Sequence, residues 1–319
     1  MPRTSHPDLA GPMRSPATRA SARLNVQNLL VSLRPRQWTK NLFVFAGLIF
    51  GQRLDDPHAV VRAVAAFVIF CALSSAVYLL NDVLDREADR QHPVKAKRPI
   101  AAGDIDPGTA LGVAGALSLA GLVSAYALGV TFGRVALAYL VLLALYSAVL
   151  KRLVIVDVLT IAIGFVLRAA AGAVVVNVPI SHWLLVNMIQ LALFLALCKR
   201  RQELVMLADQ ASSHRRSLGE YSPDLLDQFI AVVAASTLIA YAIYTISPET
   251  QAKFGTDLIG LTLPFPMYGV FRYLFLVHRK ADGGSPSDTL LTDAPLLSCV
   301  ALWGITVITI IYARPFFGW

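Results

Sequence analysis

Apolar residues dominate nine segments of the chain, and polar stretches separate these segments. Most of the segments are close to the ~20 residues that a helix needs to cross a bilayer, and they do not alternate as barrel strands do. The pattern therefore predicts an all-α integral membrane protein with nine transmembrane helices. The first segment is short and the eighth contains two prolines and an arginine, so these two fit least well. The predicted spans are 41–54, 59–80, 108–129, 132–150, 154–176, 182–198, 228–247, 262–278 and 294–313.

The chain before the first span has two parts. Residues 1–23 are rich in Arg, Ser, Pro and Ala and lack the apolar core of a secretory signal, so we expect a disordered basic tail. Residues 24–33 place four apolar side chains on one helical face, which is typical of a helix lying in the membrane interface. We expect residues 24–319 to form a single nine-helix catalytic domain.

Lysine and arginine are distributed unevenly between the two sets of loops. The N-terminal segment and the loops on its side of the membrane hold 21 of these cations, and the opposite side holds five. Positively charged loops remain in the cytoplasm. We therefore predict a multi-pass plasma-membrane protein with its N-terminus inside and its C-terminus outside. The long polar loops after spans 2 and 6 both lie inside, so we expect a cytoplasmic active site.

Composition narrows the class of protein further. The chain is 56% hydrophobic and 15% charged, whereas a soluble domain is about 25% charged. A net charge of +8 fits cationic loops and anionic ligands, and no basic soluble domain is present for nucleic acid. The three cysteines, Cys71, Cys198 and Cys299, lie far apart, so we expect neither disulfides nor zinc.

The densest cluster of charge is the stretch NDVLDREADRQHPVKAKRP, directly after the second span. If the helix continues, Asp82, Asp85 and Asp89 lie on one face, with Asn81 beside them and Tyr78 one turn earlier. Stacked carboxylates repel one another, so a cation should offset them. Oxygen ligands without His or Cys favour a hard ion such as Mg²⁺, which commonly shares its shell with substrate phosphates. The sequence therefore predicts that the three aspartates and Asn81 bind a magnesium–diphosphate group.

Cations follow this acidic stretch immediately. Lys95, Lys97 and Arg98 lie in the turn-forming HPVKAKRP and are placed to hold the remaining phosphate oxygens. The alternative is a solvated loop with local ion pairs, such as Arg86 or Arg90 with the last aspartate.

The pattern N-D-x-x-D-x-x-x-D at the end of a membrane helix resembles the first aspartate-rich motif of the UbiA-type intramembrane prenyltransferase superfamily. The resemblance implies nine transmembrane helices around a central cavity that opens to the cytoplasmic side and laterally to lipid. It also implies Mg²⁺-diphosphate binding at the cytoplasmic face.

Further stretches are similar to the decaprenyl-phosphate phosphoribosyltransferase branch of that superfamily. This branch transfers 5-phosphoribosyl from phosphoribosyl diphosphate (PRPP) to a polyprenyl phosphate, as in the synthesis of cell-wall arabinan precursors. The similar stretches are RPRQWTKN (34–41), residues 81–103, Tyr146 with Lys151, LRAAAG (167–172), KRRQEL (199–204) and 283–293.

The loop after span 6 distinguishes this branch from the aromatic prenyltransferases of quinone-type biosynthesis, which are the alternative. Those enzymes have a second aspartate-rich motif there, whereas this chain has Lys199, Arg200 and Arg201, with Glu203 as the nearby acid. PRPP and a lipid phosphate are two polyanions, and bringing them together requires more fixed positive charge than one polyanion does. Glu203 either completes the metal shell or pairs with Lys199.

Several remaining candidates have a structural alternative. Gln37 and Lys40 at the start of span 1 either bind substrate or anchor the interface. Tyr146 and Lys151 at the end of span 4 either bind substrate or are ordinary interfacial residues, and Arg272 in span 8 is a further substrate-binding candidate.

Three further groups lie inside or beside the spans. Arg168 in span 5 lies too deep for the diphosphate, and Asp157 or a helix carbonyl is a suitable partner. Asp157 supports either the metal or an arginine. Asp224 and Asp227 fit helix capping or solvation better than metal binding.

Together these residues predict an Mg²⁺-dependent transfer in which the lipid phosphate attacks ribose C1 with inversion. No general base is needed, since a phosphate is already ionised at pH 7. The expected partners are PRPP, a polyprenyl phosphate and membrane lipids, with a homo-oligomer left open and no nucleic acid. A transporter is a third hypothesis, but the sequence has no clear inverted repeat, and its acidic cluster lies at a membrane face.

Overall fold

The structure is a computed structural model and describes residues 26–207, 219–280 and 286–312. In these residues the regular structure is helical and no β-strand occurs. The predicted N-terminal tail lies outside them. The α-helices are α1 (Val26–Leu33), α2 (Ala46–Phe50), α3 (Pro57–Leu84), α4 (Arg86–Gln91), α5 (Pro99–Ala102), α6 (Pro107–Leu128), α7 (Val130–Ala148), α8 (Val156–Val175), α9 (His182–Leu207), α10 (Pro223–Ile246), α11 (Pro248–Phe254), α12 (Pro264–Phe275), α13 (Pro286–Thr292) and α14 (Ala294–Tyr312).

Eight helical segments in the described residues are long and apolar enough to cross a membrane. They correspond to predicted spans 2–9. The segments are α3, α6, α7, α8, α9, α10, the stretch Leu258–Arg279 around α12, and α14. The multi-pass, all-α architecture predicted from the apolar pattern is therefore confirmed.

The first predicted span has a different structure from the others. Residues Pro35–Phe45 form a 3₁₀-helix and continue directly into α2, which ends at Phe50 and is capped by Gly51. This segment packs closely against α8, because a Cβ on Gly172 would lie 1.8 Å from the Val44 carbonyl oxygen. A ninth membrane-spanning helix therefore stays a prediction.

A short sequence pattern fixes the start of several helices. In each case a Ser or Asp side chain accepts hydrogen bonds from backbone N–H groups of the first turn, and the next residue is proline. Asp56 accepts from His58 and Ala59 at 3.0 and 3.2 Å. The same arrangement begins α6, α10 and α11, at Asp106, Ser222 and Ser247.

Consecutive long helices pack side by side from α6 to α10, and α3 packs against α6 and α7. The two largest buried apolar clusters of the described residues form at these helix contacts. One contains Phe70 and Phe132, the other contains Phe194 and Leu226, and α8 contributes to both. Valines, leucines and isoleucines cover much of the outer surface, as expected for helices that face lipid. A central cavity remains between the clusters.

Candidate active site

The central cavity has a volume of about 570 Å³ and two chemically different halves. Charged residues line the end where α3 and α9 stop, which we call the basic end. Aromatic and aliphatic side chains such as Phe165, Phe194 and Trp303 line the other half. The lining of α9 extends from Asn187 to Glu203, which is ~24 Å along a helix. The cavity is therefore suited to a ligand with a charged head and an apolar tail.

Positive charge dominates the wall of this cavity. Eight of its side chains are cationic and three are carboxylates. Because the cations outnumber the acids so strongly in a partly desolvated space, the cavity favours polyanionic ligands. The cations are Arg34, Lys40, Lys95, Arg98, Lys151, Arg168, Lys199 and Arg200, and the carboxylates are Asp85, Asp89 and Glu203.

The acidic stretch after α3 is divided by a break in the helix. Helix α3 ends at Leu84, Asp85 lies outside helical geometry with φ −96° and ψ 5°, and α4 begins at Arg86. Lys151 lies beside this break, and its Nζ donates to Asp85 Oδ1 at 2.5 Å and to Asn81 Oδ1 at 3.2 Å. A predicted substrate-binding lysine and two predicted metal ligands therefore meet at one point on the cavity wall.

The other two aspartates share a different cation. Arg98 donates to Asp82 at 3.0 Å and to Asp89 at 2.6 Å. Arg34 also pairs with Asp82. Its backbone lies in the left-handed region, with φ 55°, at the bend between α1 and the 3₁₀-helix. Protein cations thus offset the repulsion between the three carboxylates.

Asp82 does not take the predicted position beside the other two aspartates. It is 2% exposed and lines a smaller neighbouring pocket, whereas Asp85 and Asp89 line the central cavity. Asp82 therefore does not line the central cavity with the other two carboxylates, and its contact with a metal stays a prediction. The physical reason is that Arg34 and Arg98 hold it behind the cavity wall. In the described residues, no three His, Cys, Asp or Glu side chains converge on one metal position.

Oxygen donors for a divalent cation are nevertheless present on the cavity wall. Asn81, Asp85 and Asp89 all line it. One or two carboxylates combined with substrate phosphates and water are what Mg²⁺ typically takes. Burial raises the pKa of Asp89 and the nearby Arg98 opposes this effect, so a cation beside Asp89 favours its ionised form. These residues fit a magnesium ion bound together with a phosphorylated ligand.

Two lysines, Lys40 and Lys95, line the same cavity as the acidic residues. Burial, and secondarily the positive charges of Arg168 and Arg34, lower the pKa of Lys40 to about 7. Burial also lowers the pKa of Lys95. In the described residues, neither lysine has a carboxylate within 4.0 Å. A bound anion would stabilise the charged form of both lysines.

The tyrosines predicted as substrate contacts also line the cavity. The Arg34 guanidinium lies 5.0 Å from the centre of the Tyr78 ring. Tyr146 lies in the cavity wall near Lys151. Both predictions therefore agree with the positions of these side chains.

The end of α9 supplies the second charged wall of the cavity. Arg200 is 1% exposed, pairs with Glu203 and lies 3.4 Å from Asp157. Glu203 also lies 4.0 Å from Lys199. The pairing of Glu203 with Lys199 is therefore present, and Asp157 supports an arginine. Tyr221, two residues before α10, donates to Asp157 at 3.1 Å and fixes it.

Arg201 does not line the cavity, although Lys199 and Arg200, the two residues before it, do. It pairs with Asp227, which also lies 3.2 Å from His278. Successive helical residues point about 100° apart, so three adjacent cations cannot share one face. The prediction of Arg201 as a substrate residue is therefore not supported. Asp227 is held in this ion pair, and Asp224 is exposed.

Three more predicted substrate residues lie outside the central cavity. Arg272 is held by Asp293 at 2.8 and 3.1 Å, so it joins α12 to the start of α14. Gln37 is not among the cavity-lining side chains, and Lys97 lines only the smaller pocket. The neighbour of Gln37, Trp38, donates to Ser75 on α3 at 3.0 Å, so this part of the segment packs against the bundle.

Sequence reasoning missed a polar network in the interior of the bundle. Arg168 lines the cavity and donates to Asn41 at 2.8 Å, to Tyr139 at 2.7 Å and to the Gly164 carbonyl at 3.1 Å. A helix carbonyl was one of the two expected partners of Arg168. The other, Asp157, lies beside Arg200 instead. The cavity lining also includes Arg34 and His92, which had no predicted role. An arginine inside a predicted span was the available signal for the network, but its polar partners come from distant segments.

The fold and the cavity together define a polytopic membrane protein with a central cavity lined by more cations than carboxylates. Residues 41–291 match the UbiA prenyltransferase family, and the chain belongs to that family. It is an enzyme, a transferase of the UbiA superfamily.

Curated relatives make the resemblance more specific. The chain is 31% identical over 299 residues to the decaprenyl-phosphate phosphoribosyltransferase of Corynebacterium glutamicum, covering 91% of this chain and 88% of the relative. It is 32% identical over 291 residues to the enzyme of the same name from Mycobacterium tuberculosis, covering 88% and 93%.

A solved structure supports the fold. A UbiA homologue from Archaeoglobus fulgidus, solved with GPP and Mg²⁺, superposes with a TM-score of 0.66 at 20% identity, covering 90% of this chain and 98% of that protein.

Proposed function

We propose that this enzyme transfers 5-phosphoribosyl from PRPP to a polyprenyl phosphate and releases pyrophosphate. The observation that carries the proposal is the surplus of cations around the central cavity, eight against three carboxylates. Two polyanionic reactants repel each other, and fixed positive charge lowers the cost of bringing them into contact. The relatives named decaprenyl-phosphate phosphoribosyltransferase support the same activity.

At the basic end of the cavity, the wall formed by the acidic stretch would bind the diphosphate of PRPP. Asn81, Asp85 and Asp89 would hold Mg²⁺, which when bound neutralises charge on the leaving pyrophosphate. Lys151 positions Asn81 and Asp85 through its hydrogen bonds. Because Lys151 and Arg98 already bind these acids, ligand binding changes how the charges are shared within the motif.

The cations opposite this motif would hold the remaining phosphates. Lys40, Lys95 and Lys199 face the cavity and stabilise negative charge on the 5-phosphate and the lipid phosphate. Arg200 is buried and orients Glu203. The pair thereby sets the shape of this wall.

The bond changes follow from the chemistry of the substrates. The C1–O bond to the diphosphate breaks, and its electron pair leaves with pyrophosphate. A phosphate oxygen of the lipid forms the new bond to C1 from the opposite face, which inverts the configuration. The acceptor oxygen is already ionised at pH 7, so no side chain has to remove a proton. The apolar half of the cavity would hold the adjacent isoprenoid chain.

Several finer features belong to this proposal. The basic end would face the cytoplasm, since the loops on that side hold most of the cations. The enzyme would then lie in the plasma membrane with its C-terminus outside, and its lipid product would serve cell-wall arabinan synthesis.

Prenyl transfer to an aromatic acceptor is the second candidate. The family name and the GPP-bound homologue favour it. The lack of a second acidic motif on the described part of the cavity wall disfavours it, because Asp227 is engaged by Arg201. Residues 208–218 lie outside the described chain.

The experiment that tests the proposal compares two pairs of substrates in parallel samples. Purified protein in vesicles receives Mg²⁺, ribose-labelled PRPP and a polyprenyl phosphate, and a parallel sample receives a prenyl diphosphate and an aromatic acid. We expect labelled lipid and an equal amount of pyrophosphate in the first sample. Prenylated aromatic acid in the second sample, with no labelled lipid in the first, would establish the alternative. Substrate movement without pyrophosphate release would indicate a carrier.

A further inference from the structure

A second pocket of about 260 Å³ lies next to the central cavity at the basic end. It is formed by α1, the start of the 3₁₀-helix and the turn between α4 and α5. Arg34, Lys95 and Arg98 line both spaces and therefore form the wall between them. Lys97 and Asp82 line only the second pocket.

The charges of this pocket are not balanced within the described residues. Four cations line it against one carboxylate, Asp82. Arg34 and Arg98 are both paired with Asp82, and Arg98 also contacts Asp89. Lys95 and Lys97 have no carboxylate within 4.0 Å in the described chain. Asp89 lies outside the pocket but pairs with Arg98, so we count it as a second acid. The four cations then exceed the two acids by two charges, which matches the charge of a phosphate monoester at neutral pH.

The mouth of the pocket is apolar. Val31 and Val94 line it, although they are 56% and 61% exposed. The exposed surface of α1 continues this apolar strip through Val26 and Leu30. Exposed aliphatic side chains beside a basic pocket suit a ligand that joins a phosphate to a hydrocarbon chain.

We propose that this pocket is a second phosphate-binding site, separate from the central cavity, that takes the phosphate monoester headgroup of a membrane lipid. The phosphate lies against Lys97, with Lys95 shared between the two sites and the Arg34 and Arg98 guanidinium groups behind it. The lipid chain passes over Val31 and Val94. The charge surplus specifies the phosphate, and the apolar mouth specifies a lipid as its source. The proposal does not depend on which group the central cavity transfers.

The test counts lipid bound to the full-length protein. Detergent-purified protein is titrated with dioleoylphosphatidic acid, and bound lipids are counted by native mass spectrometry. Lys97→Gln and Val94→Glu change the second pocket alone, Lys199→Gln changes the central cavity alone, and Arg152→Gln removes an exposed cation that lines neither. Because Lys97 and Val94 are exposed, neither substitution disturbs the core, and a thermal unfolding curve verifies this for each variant.

We expect Lys97→Gln and Val94→Glu each to weaken one lipid-binding event about tenfold or more, the effect of losing a charged hydrogen bond or adding a repulsive charge. The same event should survive in the Lys199→Gln and Arg152→Gln variants. Unchanged binding in both pocket variants, or loss of every event in Lys199→Gln, would overturn the proposal.

A second arm identifies the source of the phosphate. Inorganic phosphate is added in large excess to the lipid-loaded protein. We expect the lipid to remain bound, because free phosphate makes no contact with the apolar mouth. Complete displacement of the lipid by this excess of phosphate would overturn the lipid assignment.

Discussion

The acidic stretch at the end of α3 and the cationic residues that line the rest of the basic end face the same cavity. Their charges are compensated differently. Each aspartate of the acidic stretch has a protein cation within ion-pair distance, from Arg34, Arg98 or Lys151. Opposite them, Lys40 has no such carboxylate in the described residues, and Lys199 has one only at 4.0 Å. The acidic side is therefore satisfied internally, whereas the basic side keeps positive charge available for an external anion.

This difference assigns separate tasks to the two walls. The acidic wall is arranged by hydrogen bonds before any ligand binds, so a substitution there changes the neighbouring cations as well. The basic wall consists largely of partly desolvated cations, so a substitution there mainly weakens anion binding. The following predictions test this division, from the largest expected effect to the smallest.

Replacing Asp85 with Asn should cause the largest loss. The substitution removes a proposed metal ligand and leaves the buried Lys151 ammonium without its carboxylate partner. We expect phosphoribosyl transfer to fall about 10²–10³-fold, as when a preorganised electrostatic group is removed. Transfer of labelled ribose phosphate to lipid measures the effect. The control is Asp224→Asn, which changes an exposed side chain. If the Asp85→Asn enzyme were as active as this control, the assignment of Asp85 would be contradicted.

Replacing Lys199 with Gln should have the next largest effect, and it should appear mainly in KM for PRPP. One charged hydrogen bond to phosphate corresponds to about a tenfold to hundredfold loss in kcat/KM. Arg201→Gln is the matched control, because Arg201 lies two residues away and pairs with Asp227 outside the cavity. Equal losses in the two variants would mean that net charge alone, rather than the cavity-facing position, determines binding.

Replacing Asp82 with Asn should affect stability more than catalysis. The change removes the common partner of Arg34 and Arg98, whose side chains remain partly exposed to solvent. We expect a loss of about 1–3 kcal/mol in unfolding free energy and a melting temperature lower by several degrees. Transfer activity should stay at least tenfold above that of Asp85→Asn. Activity as low as in that variant, with unchanged melting, would place Asp82 among the metal ligands.

The smallest effect is a pH dependence that originates in Lys40. Its pKa is lowered to about 7, so the free enzyme loses this positive charge as the pH rises through 7. We expect KM for PRPP to rise severalfold between about pH 6.5 and 8, and Lys40→Arg to flatten this dependence because a guanidinium stays protonated. Steady-state kinetics across this range check the prediction. An identical pH profile in the Arg variant would exclude Lys40 as the source.

Much of the fold followed from the apolar pattern, because helices that face lipid need long apolar runs. Predicted span 59–80 corresponds to Pro57–Leu84 and span 108–129 to Pro107–Leu128. The first segment was harder to predict. Its apolar residues pack against α8, where Gly172 allows a close approach, and an apolar run alone does not distinguish such packing from a full membrane crossing.

The candidate site was predictable where local spacing determines it. Asn81, Asp85 and Asp89 line the cavity as expected, and so do Tyr78, Tyr146 and Lys151. Both Lys199 and Arg201 were predicted to bind substrate, although helical periodicity would have separated them, because the two residues lie on different faces. The partners of Asp82 and Arg168 were not predictable, because Arg34, Asn41 and Tyr139 reach them from distant parts of the chain.

The most direct test of the central claim is an experimental structure of the protein with Mg²⁺ and PRPP. The account predicts that the diphosphate lies beside Asn81, Asp85 and Asp89, with the 5-phosphate against Lys40, Lys95 or Lys199. Lys151 or Arg98 should then have shifted from the carboxylates it contacts here. A diphosphate bound away from the acidic stretch, or a ribose 5-phosphate with no contact to the basic wall, would contradict it.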